Sequence, residues 1–238
     1  MIRTIIVVIY YMLGLVLLMP LLILWSLLTG SPDFMYRMSM KAVHSGMRIG
    51  GIRVRVEGLE NIPPGVCIFA ANHVSNMDPL AFVPAIPRRV SLLAKKEVFR
   101  IPILSKAMRL AKLIPVDRMD REAAASSVDV AVQYLKEGLS FAVYPEGTRS
   151  RDGRLLPFKK GTFVMAIEAG VPVVPVSIVG AQTLMRKGDW KLRPGEVTIR
   201  FGPGVDASKY TMERRGELLT RVEELVAAGL PEDQRPLP

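Results

Sequence analysis

The chain has 238 residues, enough to bury one core of α/β or α+β size. It carries 32 Lys plus Arg against 22 Asp plus Glu, and half of its residues are hydrophobic. The net charge of +10 favours an anionic partner, and the hydrophobic content favours a membrane surface. A nucleic-acid partner is not expected, because aromatic residues make up 7% and do not alternate with basic ones. The single cysteine, Cys67, excludes an internal disulfide and a cysteine-built metal site.

The N-terminal segment is the most apolar part of the chain. Residues 5–28 contain no charged side chain, and as a helix they would extend roughly 36 Å, enough to cross a hydrocarbon core of about 30 Å. A cleaved signal peptide fits poorly, because the apolar stretch is too long and no small-residue cleavage site follows it. Residues 1–30 are therefore predicted to be a hydrophobic membrane anchor. Pro20 leaves open a kinked pair of helices that enters one leaflet only.

The next segment, residues 31–50, predicts an amphipathic interfacial helix. Apolar residues such as Met35 and Met47 are interleaved with basic residues such as Arg37 and Lys41. This pattern indicates a helix whose apolar side lies at the acyl boundary and whose basic side meets anionic headgroups. The basic residues that follow the apolar segment favour a domain facing the cytoplasm, at a cell inner membrane or its equivalent.

Residues 51–230 alternate short apolar runs with amphipathic stretches. This texture predicts an α/β domain with a mixed, largely parallel central sheet flanked by helices. Helical patterns cover residues 121–137, 160–170 and 218–226, and residues 231–238 are expected to be a loose tail. Seven runs are predicted as strands: 52–58, 65–72, 89–95, 112–118, 139–147, 171–180 and 196–202.

The motif NHVSNMD follows the second of these runs. It has two readings. One is a strand–turn–helix junction, with Asp78 as helix N-cap and Pro79 at the first helical position. The other is a general base, His73, oriented by Asp78. A regular helix would turn Asp78 about 140° away from His73, so the two can meet only across a turn. Ser75 raises the alternative of a serine hydrolase, but the chain has no GxSxG elbow.

A second polar cluster follows the run that begins at residue 139. It offers the Gly147 backbone, the Thr148 hydroxyl and the Arg149 guanidinium, while Arg118 and Lys95 end two other predicted strands. Cationic groups of this kind suit phosphate oxygens. In open α/β sheets ligands bind beyond the carboxyl ends of the strands, so we expect the two clusters to face one cleft.

These motifs resemble the four blocks of the glycerolipid acyltransferase family. NHVSNMD, VDR, YPEGTRS with FKKGT, and VPVVPVSI occur in that family's order and approximate spacing, across about residues 50 to 205. Within the family, the chain most resembles the lysophosphatidic acid acyltransferases. The second block often carries a glycine and a phenylalanine in a stretch where this chain has Lys112, Leu113 and Pro115.

The resemblance implies a reaction and its residues. His73, oriented by Asp78, would take the proton from the 2-hydroxyl of lysophosphatidic acid, which would attack an acyl-CoA or acyl-ACP thioester and give phosphatidic acid. The resemblance assigns glycerophosphate binding to Glu146, Gly147, Thr148 and Arg149 of the third block, and Arg118 to the second.

Other readings stay open at this level. The acceptor could be another lysolipid, or the protein could be a non-enzymatic membrane-surface protein that binds anionic phospholipid. The sequence contains no triphosphate-binding loop, no metal-ligand cluster and no dinucleotide fingerprint, so neither a cofactor nor a metal is expected.

Overall fold

The N-terminal segment forms one long helix that pairs with a second helix. The structure, a computed structural model, describes residues 1–117, 120–185 and 188–236, with the backbone alone at 121–124. Helix α1 (Ile2–Leu13), a π-helical turn (Gly14–Leu18) and α2 (Met19–Thr29) are continuous, and α3 (Asp33–Ile49) folds back beside them. The π turn precedes Pro20, which has no backbone N–H to donate. The proline is thus accommodated within one helix and does not divide the segment into a pair.

Helix α3 is packed between the N-terminal helix and the rest of the protein. Met35 and Met47 are 2% and 1% exposed and belong to the main hydrophobic core. The N–H of Val90 donates a hydrogen bond of 3.2 Å to the Tyr36 hydroxyl, which ties α3 to the sheet. The prediction that these methionines face lipid was wrong, because neighbouring helices cover that side of α3.

A seven-stranded sheet forms the centre of the described chain. Its order is β1-β7-β6-β2-β5-β3-β4, and β6 with β7 is the antiparallel pair, so the predicted mixed, largely parallel sheet is confirmed. Each predicted apolar run coincides with one strand to within one residue or lies around it. The strands are β1 (Ile52–Glu57), β2 (Ile68–Ala71), β3 (Val90–Lys95), β4 (Ile114–Val116), β5 (Ser140–Val143), β6 (Val173–Val179) and β7 (Gly195–Phe201).

Helices cover both faces of the sheet. Phe69 and Ala71 of β2 pack in a core with α1 to α5, whereas Ile68 and Ala70 face a second core. Burial on both faces explains why β2 reads as a continuous apolar run. The remaining helices are α4 (Asp78–Ala85), α5 (Pro102–Leu110), α6 (Arg121–Lys136), α7 (Gly161–Ala169), α8 (Ala181–Leu184) and α9 (Arg215–Ala228), and α6, α7 and α9 contribute to the second core.

The C-terminal segment is attached to the domain. Gln234 is 5% exposed, and its carbonyl accepts a hydrogen bond of 2.8 Å from the N–H of Leu155. The Arg235 carbonyl accepts another from the Arg154 guanidinium, at 3.2 Å. The prediction of a loose tail from residue 231 was therefore wrong for the residues up to 235. Backbone carbonyls of this segment, which the apolar pattern does not report, accept both hydrogen bonds.

Lys112 has an unusual backbone conformation. Among the described residues it is the one non-glycine with positive φ, at +61°. Its Nζ lies 2.6 Å from Glu137 Oε2 and 4.6 Å from the ring centroid of Tyr134. This left-handed conformation favours glycine, so the lysine is strained at this position.

The sheet brings the two polar motifs together. In the parallel pair β2–β5, Ala70 is the partner of Val143. The carboxyl ends of both strands therefore lie on the same side of the sheet, and the residues after Ala71 emerge beside those after Val143. Strand β3 pairs with the other side of β5 and ends at the same edge.

Candidate active site

His73 and Asp78 meet across the turn that follows β2. His73 Nδ1 lies 2.7 Å from Asp78 Oδ2, and the two residues are 8% and 0% exposed. The same Oδ2 accepts the N–H groups of Val74 and Ser75 at 2.7 and 2.8 Å. Because Oδ2 already accepts two N–H groups, we infer that it also accepts from the imidazole. Nδ1 is then the donor and carries the proton. The lone pair of the histidine is then on Nε2.

The role of Asp78 at the helix differs from the predicted N-cap. Helix α4 begins at Asp78 itself, with Met77 as the cap residue and Pro79 at the second helical position. The carboxylate does not cap the first turn of the helix. It turns back to the N–H groups of the preceding turn, which explains how a five-residue separation allows contact with His73.

The residues on either side of His73 are anchored by hydrogen bonds to β6 and to the end of α8. The Asn72 amide donates to the Ile178 carbonyl at 3.0 Å and accepts from the Ile178 N–H at 2.7 Å. The Ser75 hydroxyl is buried and donates to the Met185 carbonyl at 2.7 Å. Because the Ser75 proton is directed away from His73, the geometry disfavours Ser75 as a nucleophile activated by that histidine.

Glu146 holds the backbone of His73. Its Oε1 accepts the His73 N–H at 2.6 Å, and its Oε2 accepts the Leu156 N–H at 3.3 Å. Burial raises the pKa of Glu146 to about 8, the charges of Asp78 and Glu223 add to the rise, and the two N–H groups oppose it. A carboxyl that is 2% exposed and occupied by backbone donors is not available to an anion. The prediction of a phosphate contact by Glu146 is therefore replaced by an anchoring role.

The other predicted anion-binding residues lie at the rim. The Arg149 guanidinium donates to the side-chain oxygen of Asn76, a residue of the first motif that had no predicted role. Gly147 has φ +70°, and a Cβ there would lie 3.0 Å from Lys159 Nζ, so the glycine lets this lysine approach the loop. Thr148 is exposed. Arg149, Lys159 and Thr148 together give this side of the site cationic and hydroxyl groups.

Lys95 and Arg118 are the two remaining predicted residues, and the structure does not place Lys95 in contact with the described part of the site. The Lys95 ammonium, at the end of β3, is 62% exposed and lies 3.4 Å from Glu97 Oε1. Arg118 lies outside the described residues. Among the described residues, no group of three or more His, Cys, Asp or Glu side chains could hold a metal ion.

Tyr144 is a further site residue that the sequence motifs did not identify. Its ring stacks on the His73 imidazole, with centroids 4.1 Å apart and planes at 18°. The available signal was its position as the first residue beyond β5, beside the strand that leads to His73. An aromatic residue at a strand end is ordinarily interpreted as core, so the motif alone did not suggest this contact.

The chain is similar to proteins whose names describe acyl transfer. The 1-acyl-sn-glycerol-3-phosphate acyltransferase of Limnanthes douglasii is 35% identical over 190 residues, which cover 79% of this chain and 67% of that protein. The Borreliella burgdorferi protein of the same name is 30% identical, over 76% of this chain and 73% of its own. The match spans about two thirds of the length of the plant relatives.

A solved structure agrees with these relatives. The 1-acyl-sn-glycerophosphate (LPA) acyltransferase of Thermotoga maritima superposes with a TM-score of 0.82 at 31% identity, over 96% of this chain and 93% of that one. A family model described as Acyltransferase matches residues 53–179, which include both halves of the site. With more than half of its length matched by that model, the chain belongs to the acyltransferase family.

Proposed function

We propose that the protein transfers a fatty acyl group from an acyl thioester to the 2-hydroxyl of lysophosphatidic acid, giving phosphatidic acid. One observation carries the proposal. The backbone N–H of His73 is bound by Glu146, its carbonyl accepts from Ser150 at 2.8 Å, and its Nδ1 is bound by Asp78. Nε2 is the remaining ring nitrogen, so the arrangement prepares it to accept a proton.

The proton transfers follow from this geometry. Nε2 takes the proton of the acceptor hydroxyl as its oxygen forms a bond to the thioester carbonyl carbon. The imidazolium that results is stabilised by Asp78 at 2.7 Å. When the carbon–sulfur bond breaks, the proton on Nε2 passes to the departing sulfur, and His73 returns to its neutral state. Neither a covalent enzyme intermediate nor Ser75 is needed.

The rim of the site supports an anionic acceptor. Arg149 donates to Asn76 in the turn that follows His73, and Lys159 approaches Gly147. Guanidinium and ammonium groups bind phosphate through charge-assisted hydrogen bonds. A phosphate held there would bring a hydroxyl on the same small molecule toward Nε2. The names of the relatives agree with such an acceptor.

We also propose that the N-terminal helix lies in one leaflet of an anionic membrane, with the domain facing the cytoplasm. Residues 2–29 are long and apolar enough to cross a bilayer, but each half of the helix contacts the domain. The Leu192 N–H donates to the Thr4 hydroxyl at 3.0 Å, and Leu22 is buried in the core. A helix that contacts the domain in both of its halves fits an interfacial position. Large apolar side chains such as Ile9 and Leu17 remain exposed on its outer side.

Thiol release by the purified full-length chain tests the proposal. We expect acyl-CoA or acyl-ACP to release its thiol when lysophosphatidic acid is added, and phosphatidic acid to form in equal amount. His73→Ala should lower the rate at least about 10³-fold, by analogy with the loss of a general base. His44→Ala is the matched control, because His44 is the other histidine and lies exposed on α3.

Three outcomes would contradict the proposal. Turnover unchanged in His73→Ala would exclude the base. Faster release with a different lysolipid would change the acceptor. Salt-sensitive binding to anionic vesicles, without thiol release for any acceptor in the panel, would favour a non-enzymatic lipid-binding protein.

A further inference from the structure

The stacked pair of Tyr144 and His73 sits at the centre of the site. Tyr144 follows β5 directly, and the imidazole lies nearly parallel to its ring, with 4.1 Å between centroids and 18° between planes. Offset or near-parallel stacking of this kind is a favourable arrangement for two aromatic rings. One face of the His73 ring is therefore covered by a second ring.

The Tyr144 ring also packs against the hydrophobic core. Phe82 of α4 is fully buried and meets it edge to face, with centroids 6.0 Å apart. Phe82 also contacts Phe201 of β7, with 6.5 Å between centroids. Because protein cores are closely packed, a ring with such neighbours resists displacement. Tyr144 is thus a fixed surface for the imidazole.

We propose that Tyr144 is a positioning residue that sets the plane of His73 and stabilises its imidazolium through the ring face. The hydrogen bond from Nδ1 to Asp78 fixes one point of the imidazole but leaves the ring free to tilt about it. The stack removes that freedom and directs Nε2. The π face of tyrosine is electron-rich, so it attracts the imidazolium more than neutral imidazole. The stack therefore favours a state that forms during proton transfer.

The ring, and not the hydroxyl, carries this effect. The Tyr144 hydroxyl oxygen is buried and has no hydrogen-bond partner among the described residues. Burial raises the pKa of Tyr144 well above its usual value, and the charge of Asp78 adds to the rise, so the hydroxyl stays protonated. A group that neither contacts His73 by a hydrogen bond nor ionises contributes little to the base. Tyr144→Phe keeps the stack and is the conservative variant.

Steady-state kinetics test the proposal, which rests on the proposed function of His73. We expect Tyr144→Leu, which keeps an apolar side chain but no π face, to lower kcat about 5- to 30-fold. The KM for lysophosphatidic acid should stay within about twofold, because the phosphate rim is untouched. Tyr144→Phe should retain kcat within about threefold. Wild-type kcat in Tyr144→Leu would overturn the proposal, and so would an equal loss in Tyr144→Phe, since that would assign the effect to the hydroxyl.

A spectroscopic readout separates this inference from the proposed function. In a His44→Gln background His73 is the one histidine, so its ring protons can be assigned in an NMR spectrum. Stacking on Tyr144 should shift them upfield, Tyr144→Phe should preserve that shift, and Tyr144→Leu should abolish it. If Tyr144→Leu does not fold, Tyr144→Met gives a second non-aromatic variant. If the His73 resonances are not shifted when Tyr144 is present, the stacking of the two rings is refuted. Activity in His73→Ala would refute only the role of His73 as the base.

Discussion

Asp78→Asn tests how the site fixes the tautomer of His73. Asp78 Oδ2 is the acceptor for three donors, the Nδ1–H of His73 and the N–H groups of Val74 and Ser75. In the variant, the asparagine oxygen should occupy this position, because an amide NH2 placed there would face all three donors. His73 should therefore keep its proton on Nδ1 and its lone pair on Nε2. The substitution then removes mainly the negative charge.

The loss of electrostatic stabilisation in Asp78→Asn can be calculated from the short distance between Asp78 and His73. Unit charges about 4 Å apart interact with about 4 kcal/mol at an effective dielectric constant of about 20. If half or all of the imidazolium charge has developed in the transition state, removal of the Asp78 charge raises the activation free energy by about 2 to 4 kcal/mol. Converted at about 1.36 kcal/mol per tenfold change, kcat should fall roughly 30- to 900-fold. Asp78→Ala should fall further, because it also releases the three donors.

Single-turnover thiol release measures the chemical step in each variant. Thermal unfolding, followed in parallel, checks that Asp78→Asn is folded under the assay conditions. We expect the rate of thiol release to decrease in the order wild type, Asp78→Asn, Asp78→Ala, His73→Ala. The last two variants can have similar rates. If Asp78→Asn is as slow as His73→Ala, the tautomer is not preserved. The two backbone N–H groups would then not fix the orientation of the asparagine amide.

Three further predictions concern residues around the site. The folded-state pKa of Glu146, about 8 against an ordinary 4.5, means that this carboxyl binds more protons in the folded state between these values. Its contribution to the free energy of unfolding is therefore lost as pH rises from about 4.5 to about 8. Glu146→Gln should flatten that loss in melting curves, and parallel curves would contradict it. Lys112 has φ +61°, where alanine is strained and glycine is not, so Lys112→Ala should have a free energy of unfolding about 1 kcal/mol lower than Lys112→Gly in denaturant titrations. Both variants lose the same side-chain contacts, so equal free energies would exclude backbone strain. Arg149→Ala should raise the KM for lysophosphatidic acid about tenfold while the thioester KM changes little, and the opposite pattern would reverse the substrate assignment.

The strands were predictable because their signal is local. Burial on both faces makes β2 and β5 continuous apolar runs, and such runs are visible without knowledge of their neighbours. The carboxyl ends of these strands also marked where polar side chains would gather. His73 and Asp78 were identified on that basis, together with the resemblance to a family.

The partners of those side chains were less predictable. Glu146 and His73 are 73 residues apart, and their hydrogen bond exists because β2 and β5 are adjacent in the sheet. From the motif alone, a glutamate beside an arginine was interpreted as part of an anion site. Burial reverses that interpretation, because a carboxyl enclosed by backbone N–H groups faces the protein.

The sequence by itself determined the apolar N-terminal helix, the seven strands and the two motifs that carry the chemistry. Tertiary structure alone decided that a turn returns Asp78 to His73, that Tyr144 stacks on the imidazole, and that α3 is buried by its neighbours. The physical reason is the same in each case. Periodicity and hydrophobicity report whether a residue is buried, whereas strand order and helix packing decide which residue it contacts.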